Sequence, residues 1–241
     1  MGLLDLFKSG PSKNAILGQV RKAKEIYAQP EYRRMAMEKL LKWGTDESIR
    51  GLLERFSVVV QSPHWDEDEK RWLMEELVKL DHRALPILKE FIMSKNEVNY
   101  ALMAYRKIIK DDHQYKDLLV EALKHRPPSD HRSVMGKQEI IASLSEFEPD
   151  YYRAIILPYL FDHSDDVQCA VIDALAKSND DEVKEKLIKL LSSEEHSARV
   201  LRAVAQLISK QGIAIEPNTE LADAVREDFT IKDAKLIPIH H

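Results

Sequence analysis

The feature that most constrains this chain is a doublet of apolar stripes that recurs from one end to the other. In its clearest copy, Val167, Ala170, Ala174 and Leu175 fall at spacings of three and four, the polar break Ser178-Asn179-Asp180-Asp181 follows, and Val183, Leu187, Leu190 and Leu191 resume the pattern. Such spacing gathers apolar side chains on one face of a helix. Asp180 or Asp181 is placed to cap the second helix by accepting from its free N–H groups. Neither helix can bury its stripe alone, so the pair must close as an antiparallel hairpin and hairpins must stack on one another.

Marking the last large apolar residue before each turn gives Trp43, Leu80, Ile108, Leu144, Leu175 and Leu207, about 33 residues apart on average, which is a helical-repeat period. A second stripe follows each: Ile49/Leu52/Leu53/Phe56, Leu85/Leu88/Phe91, Leu118/Leu119/Ala122, Ile155/Ile156/Tyr159, Val183/Leu187/Leu190 and Leu221/Val225. The expected fold is therefore all-α, an α-α superhelix of six antiparallel pairs with no convincing sheet. Residues 1–13 are read as an N-terminal arm, 14–229 as the repeat domain, with long connections near 57–66 and 125–133, and 230–241 as a tail after a capping helix around Thr219–Phe229. His240-His241 support no metal argument.

The segment Val167–Leu191 resembles the HEAT-repeat family, in the bacterial form labelled phycobilisome-lyase HEAT-like: Val167, Ala170, Ala174-Leu175, Asp180, Val183, Leu187 and Leu190-Leu191 follow that pattern without a gap. Gln168 departs from it, standing where the pattern usually carries Arg. The resemblance implies a HEAT-like solenoid and, through its label, an accessory role in a bilin lyase-like complex.

Composition narrows the function classes. The formal net charge of −5 does not supply the basic field that phosphate-backbone binding needs, which disfavours nucleic acid. Cys169 is the only cysteine, so no intrachain disulfide forms, and a reducing, cytoplasmic setting fits. The opening Leu3-Leu4-Asp5-Leu6-Phe7 is too short for a signal-peptide core or a membrane span, and Leu6 stands where a myristoylation motif wants Ser or Thr. That segment is read as an arm that folds over the exposed apolar end of the first repeat, with docking to a partner groove or a membrane surface as the alternative.

Residues that could carry chemistry have structural readings beside them. Asp-His dipeptides stand at 81–82, 112–113, 130–131 and 162–163; stacking would set His82 and His113 on one ridge where a metal could bind, but each Asp also suits a helix cap. The di-iron hydroxylases of HEAT-like fold carry His-Glu dipeptides, and this sequence has none. The helical-repeat alkylpurine DNA glycosylases use a basic groove lined by Trp and a catalytic Asp, at odds with the acidic balance here and with the scattered Trp43, Trp65 and Trp72. Cys169 reads as a buried small hydrophobe. Basic residues concentrate at Arg21, Lys22, Lys24, Arg33 and Arg34, and at Arg199 and Arg202, which lie one turn apart. Arg199, Arg202 and Trp65 are the candidate partner-binding residues, with Tyr151-Tyr152-Arg153 behind them. The expected function is a non-enzymatic scaffold that holds a protein partner on the curved face of its second helices, with no catalytic, cofactor-binding or metal residues and no small-molecule substrate. A helical-repeat nucleic-acid repair protein is the more distant reading.

Overall fold

The computed structural model describes residues 10–239 and falls into two compact units, one ending at His125 and the other beginning at Arg126. In the first unit the helices are α1 (Lys13–Ala23), α2 (Pro30–Trp43), α3 (Asp46–Leu53), α4 (Pro63–Lys79), α5 (Leu85–Ser94), α6 (Asn99–Ile109) and α7 (Asp112–Lys124). The predicted turns are where the chain reverses: α2 ends at Trp43, α4 one residue before Leu80, and α6 one residue after Ile108. Gly44, at φ 60°, ends α2 in the left-handed conformation that glycine adopts freely. Thr45 then caps α3 by accepting from the Ser48 amide at 3.2 Å.

Two rows result. The first helices of the pairs, α2, α4 and α6, pack in succession, and the second helices α3, α5 and α7 form a parallel series that α1 joins at its end. The predicted stripes form the core between the rows: Ala36, Met37 and Leu40 of α2 meet Ile49, Leu52 and Leu53 of α3, and Leu73, Met74 and Leu77 of α4 are equally buried. Each fully buried Leu or Ile contributes about 1.5–3 kcal/mol relative to exposure. The connection placed near 57–66 is shorter than the sequence suggests, because Pro63, whose missing N–H suits a first turn, already starts α4.

The second unit holds α8 (Val134–Leu144), α9 (Pro149–Ile156) extended by a 3₁₀ turn at Leu157–Phe161, α10 (Asp165–Leu175), α11 (Asp181–Leu190), α12 (Ala198–Gln211) and the single turn α13 (Asp223–Arg226). Here α8, α10 and α12 form the row of first helices. Of the two proposed caps on α11, Asp180 does the work, accepting from the amides of Glu182 and Val183 at 3.0 and 3.2 Å. Asp180→Ala is expected to cost the second unit about 1 kcal/mol, read as a lowered urea midpoint with an unchanged m-value.

The end of the second unit departs from the expected capping helix and tail. Only α13 is helical, and an antiparallel hairpin follows, β1 (Phe229–Lys232) against β2 (Lys235–Pro238), with Phe229 facing Pro238 in register. Its two-residue turn, Asp233-Ala234, has φ of 52° and 58°, the twist that a tight hairpin requires. The alternation Phe229/Ile231 and Leu236 is too short to register as a sheet signal, and its turn lacks the glycine that usually announces one.

Candidate protein-binding surface

Trp65 sits in the first turn of α4 with 47% of its surface exposed, and a buried ionic network fixes the turn that carries it. Arg33 of α2 donates through Nε to both Glu69 oxygens at 3.0 Å and through Nη2 at 2.6 Å, while its Nη1 serves the carbonyls of Glu25 and Ala28. Arg55, just beyond α3, donates to Glu69 at 3.0 Å, to Asp66 at 2.8 Å and to the Val58 carbonyl. Asp66 also accepts from the Val60 amide at 3.1 Å, and its second oxygen pairs with Lys70 at 2.7 Å. Arg33, read from sequence as part of a surface basic cluster, is 1% exposed. Its carboxylate partner lies 36 positions away, so nothing local in the sequence signals its burial.

Burial alone would raise the Asp66 carboxyl, but Lys70, Arg55 and the Val60 amide outweigh it and hold the group below its ordinary range. With a folded-state value below the unfolded one, Asp66 contributes stability that is full above about pH 4 and fades as pH falls through the folded value. Acid titration of the unfolding midpoint is expected to show this loss, and Asp66→Asn to flatten it.

Around this anchor the first helices expose large apolar side chains. Tyr32 and Met35 project from α2, Trp65 from α4 and Met103 from α6. Trp72, two turns after Trp65, lies under the Arg34 guanidinium at 3.2 Å from the ring centre, and Lys22 lies 5.6 Å from the Tyr32 ring. The second helices differ. Arg50 of α3 pairs with Glu90 of α5 at 2.9 Å, Lys89 of α5 with Glu121 of α7 at 2.7 Å, and Glu54 with both Lys95 and Lys24. Among the described residues, α3, α5, α7 and α11 carry none of the exposed large apolar side chains, while Leu17 of α1 and Phe161 in the 3₁₀ extension of α9 are exposed. In the first unit the first helices thus expose more large apolar side chains than the second helices, on which the sequence reading placed the binding face.

Arg199 and Arg202 lie one turn apart on α12 but are engaged within the chain. Arg199 pairs with Asp166 of α10 at 2.5 Å, and Arg202 with Asp228 at 2.6 Å and Glu227 at 3.0 Å. Those hydrogen bonds raise both guanidinium pKa values. They brace α12 against its neighbours. Of the three residues chosen from sequence, only Trp65 faces solvent without such a pair.

The Asp-His dipeptides separate by environment. Asp81 adopts φ 53° in a 3₁₀ turn and caps nothing; at 112–113 the cap of α7 is the preceding Asp111, and His113 pairs with Asp117 at 3.1 Å. The ring contact is not between His82 and His113 but between His131 and His163, with centroids 3.8 Å apart. Asp130 and Asp162 accept from the amides of Arg132 and Ser164, forming turns ahead of α8 and α10. Asp162 is fully buried and binds the equally buried Lys137 at 2.5 Å, whose ammonium also donates to the Asp130 carbonyl. Gln168 donates to the Asp162 carbonyl, and its own Oε1 has no partner. Among the described residues no group of three or more His, Cys, Asp or Glu could hold a metal ion. Cys169 is half-buried; burial pushes its thiol up, against the lowering effect of Arg199, the reverse of an activated nucleophile. Tyr152 is buried, with its hydroxyl donating to the Ala174 carbonyl at 2.8 Å, and Arg153 pairs with Asp180 at 3.2 Å.

No described helix is long and apolar enough to cross a membrane. The family model for HEAT repeats matches residues 117–209, a span that includes the Val167–Leu191 unit. No curated protein and no solved structure matches the chain. HEAT repeats are interaction modules and typically non-enzymatic. The match over 117–209, together with the stacked helix pairs, supports a HEAT-like helical-repeat fold.

Proposed function

We propose that this protein is a non-enzymatic scaffold that holds a protein partner, and that the first-helix row of the first unit makes the contact. The observation that carries this reading is the exposed group Tyr32, Met35 and Trp65, set on a backbone that the Arg33–Glu69–Arg55–Asp66 network makes rigid. Aromatic and methionine side chains are enriched at interface centres, and presenting them on a rigid backbone limits the ordering cost of association to the side chains themselves. The acidic net charge and single cysteine suit a protein partner in a reducing cytoplasm better than nucleic acid.

Trp65→Ala is expected to leave the unfolding midpoint nearly unchanged, because the side chain is half exposed, and to weaken partner binding by about 2 kcal/mol or more, the size of an interface hot spot. The test is affinity capture from native lysate with wild-type and Trp65→Ala protein side by side. Specific retention by the wild type that the variant loses supports the reading. Equal retention by both, or no specific protein with either, counts against it.

A further inference from the structure

The second-helix row of the first unit begins with α1, which has no first helix of its own among the described residues, and its junction with α3 leaves a groove of about 960 Å³. Ile16, Leu17 and Val20 line it from α1 and Gly51 from α3. Leu17 is 42% exposed. A Cβ at position 51 would meet Val20 Cγ2 at 2.5 Å, so only glycine lets the two helices approach this closely. The result is an apolar trough with Gly10 and Pro11 at its mouth. Its charged rim is mostly satisfied internally, with Lys24 on Glu54 and Arg50 on Glu90. Lys13 and Glu47, both on the rim, make no ion pair among the described residues.

We propose that this groove is the seat of the chain's own segment Leu3–Phe7. The segment ends three residues before Gly10, which itself lines the groove. Nine residues span about 13 Å as a helix and about 30 Å extended, and α1 itself runs about 16 Å, so reach does not limit the match. Leu3, Leu6 and Phe7 recur at spacings of three and four, the spacing of one apolar stripe. Asp5 and Lys8 are the only charged side chains of the first nine residues, one of each sign, complementary to the rim's unpaired Lys13 and Glu47. Seating the segment covers Leu17, which the packing of α1 on α2 and α3 leaves exposed. The groove is then a self-filled site, which a partner enters only by displacing the arm.

Full-length, isotope-labelled protein tests this by nuclear Overhauser effects and amide exchange. The Phe7 ring is expected to show effects to the Leu17 and Val20 methyls, lost in Leu17→Asp, a substitution at a partly exposed position that leaves the fold intact by circular dichroism. The double variant Leu6→Asp/Phe7→Asp is expected to lower amide-exchange protection along α1 by about tenfold or more. Absence of any Phe7 contact to groove methyls, or unchanged α1 protection in the double variant, overturns the proposal. So does a mixture of labelled and unlabelled chains in which the effects appear only between molecules, since the occupant is then a second copy.

Discussion

Glu69→Ala is expected to destabilise the first unit by about 3–5 kcal/mol, the cost of leaving buried charge without its counter-ion. Glu69 is the hub of the network: it alone receives both Arg33 and Arg55, and without it three buried cations face the single carboxylate Asp66. The Arg33 guanidinium, 1% exposed, keeps only the carbonyls of Glu25 and Ala28. Urea unfolding followed by circular dichroism reads the effect. Glu69→Gln, which keeps the shape and an acceptor but not the charge, should fall between wild type and Glu69→Ala. Equal stability for all three proteins would show that water reaches the site and that the charges are not buried in solution.

Lys137→Met is expected to have a comparable effect on the second unit, about 3–5 kcal/mol. Both partners of the Lys137–Asp162 pair have no exposed side-chain surface, so methionine leaves a carboxylate in the interior without its ammonium, beside the Ser164 amide and the His163 ring. The double variant Lys137→Met/Asp162→Asn removes the stranded charge and should recover part of the loss. A double-mutant cycle from the four unfolding curves gives the coupling directly. Additivity of the two substitutions would refute a direct pair.

The repeat was legible in the sequence because helix periodicity is local: Val167, Ala174 and Leu175 do lie on the buried face of α10, joined there by Val171 and Ile172, while Ala170 is only half-buried. The sites were less legible for the opposite reason. Arg33 looks like any surface arginine until Glu69 is brought to it from α4, and Arg199 and Arg202 look free until Asp166, Glu227 and Asp228 close on them. Asp130-His131 and Asp162-His163 were visible as repeated words, but which of the four dipeptides meet depends on how hairpins are spaced. That spacing is set by connections whose length and helical content the sequence leaves open. Trp65 could be singled out because it stands in a stretch read as a connection, where an aromatic side chain is a candidate binding anchor. The arm at Leu3–Phe7 lies outside the described residues, so its reading as an end cover stays a proposal resting on the groove beside it.

The hairpin at the far end of the second unit has a consequence for assembly. A stack of identical-looking hairpins is open by construction, and an uncovered terminal stripe invites the next molecule to add on, which propagates into filaments unless the contact closes on itself. Here β2 packs against α12, with Phe229, Leu236 and Val225 buried in place of a full second helix. The bridge from Ala214 to Lys235 occupies the inner edge of the sheet. Among the described residues, α13 and β2 therefore cover part of α12 where a full second helix was expected. A helix packing on α12 from that side would have to displace them.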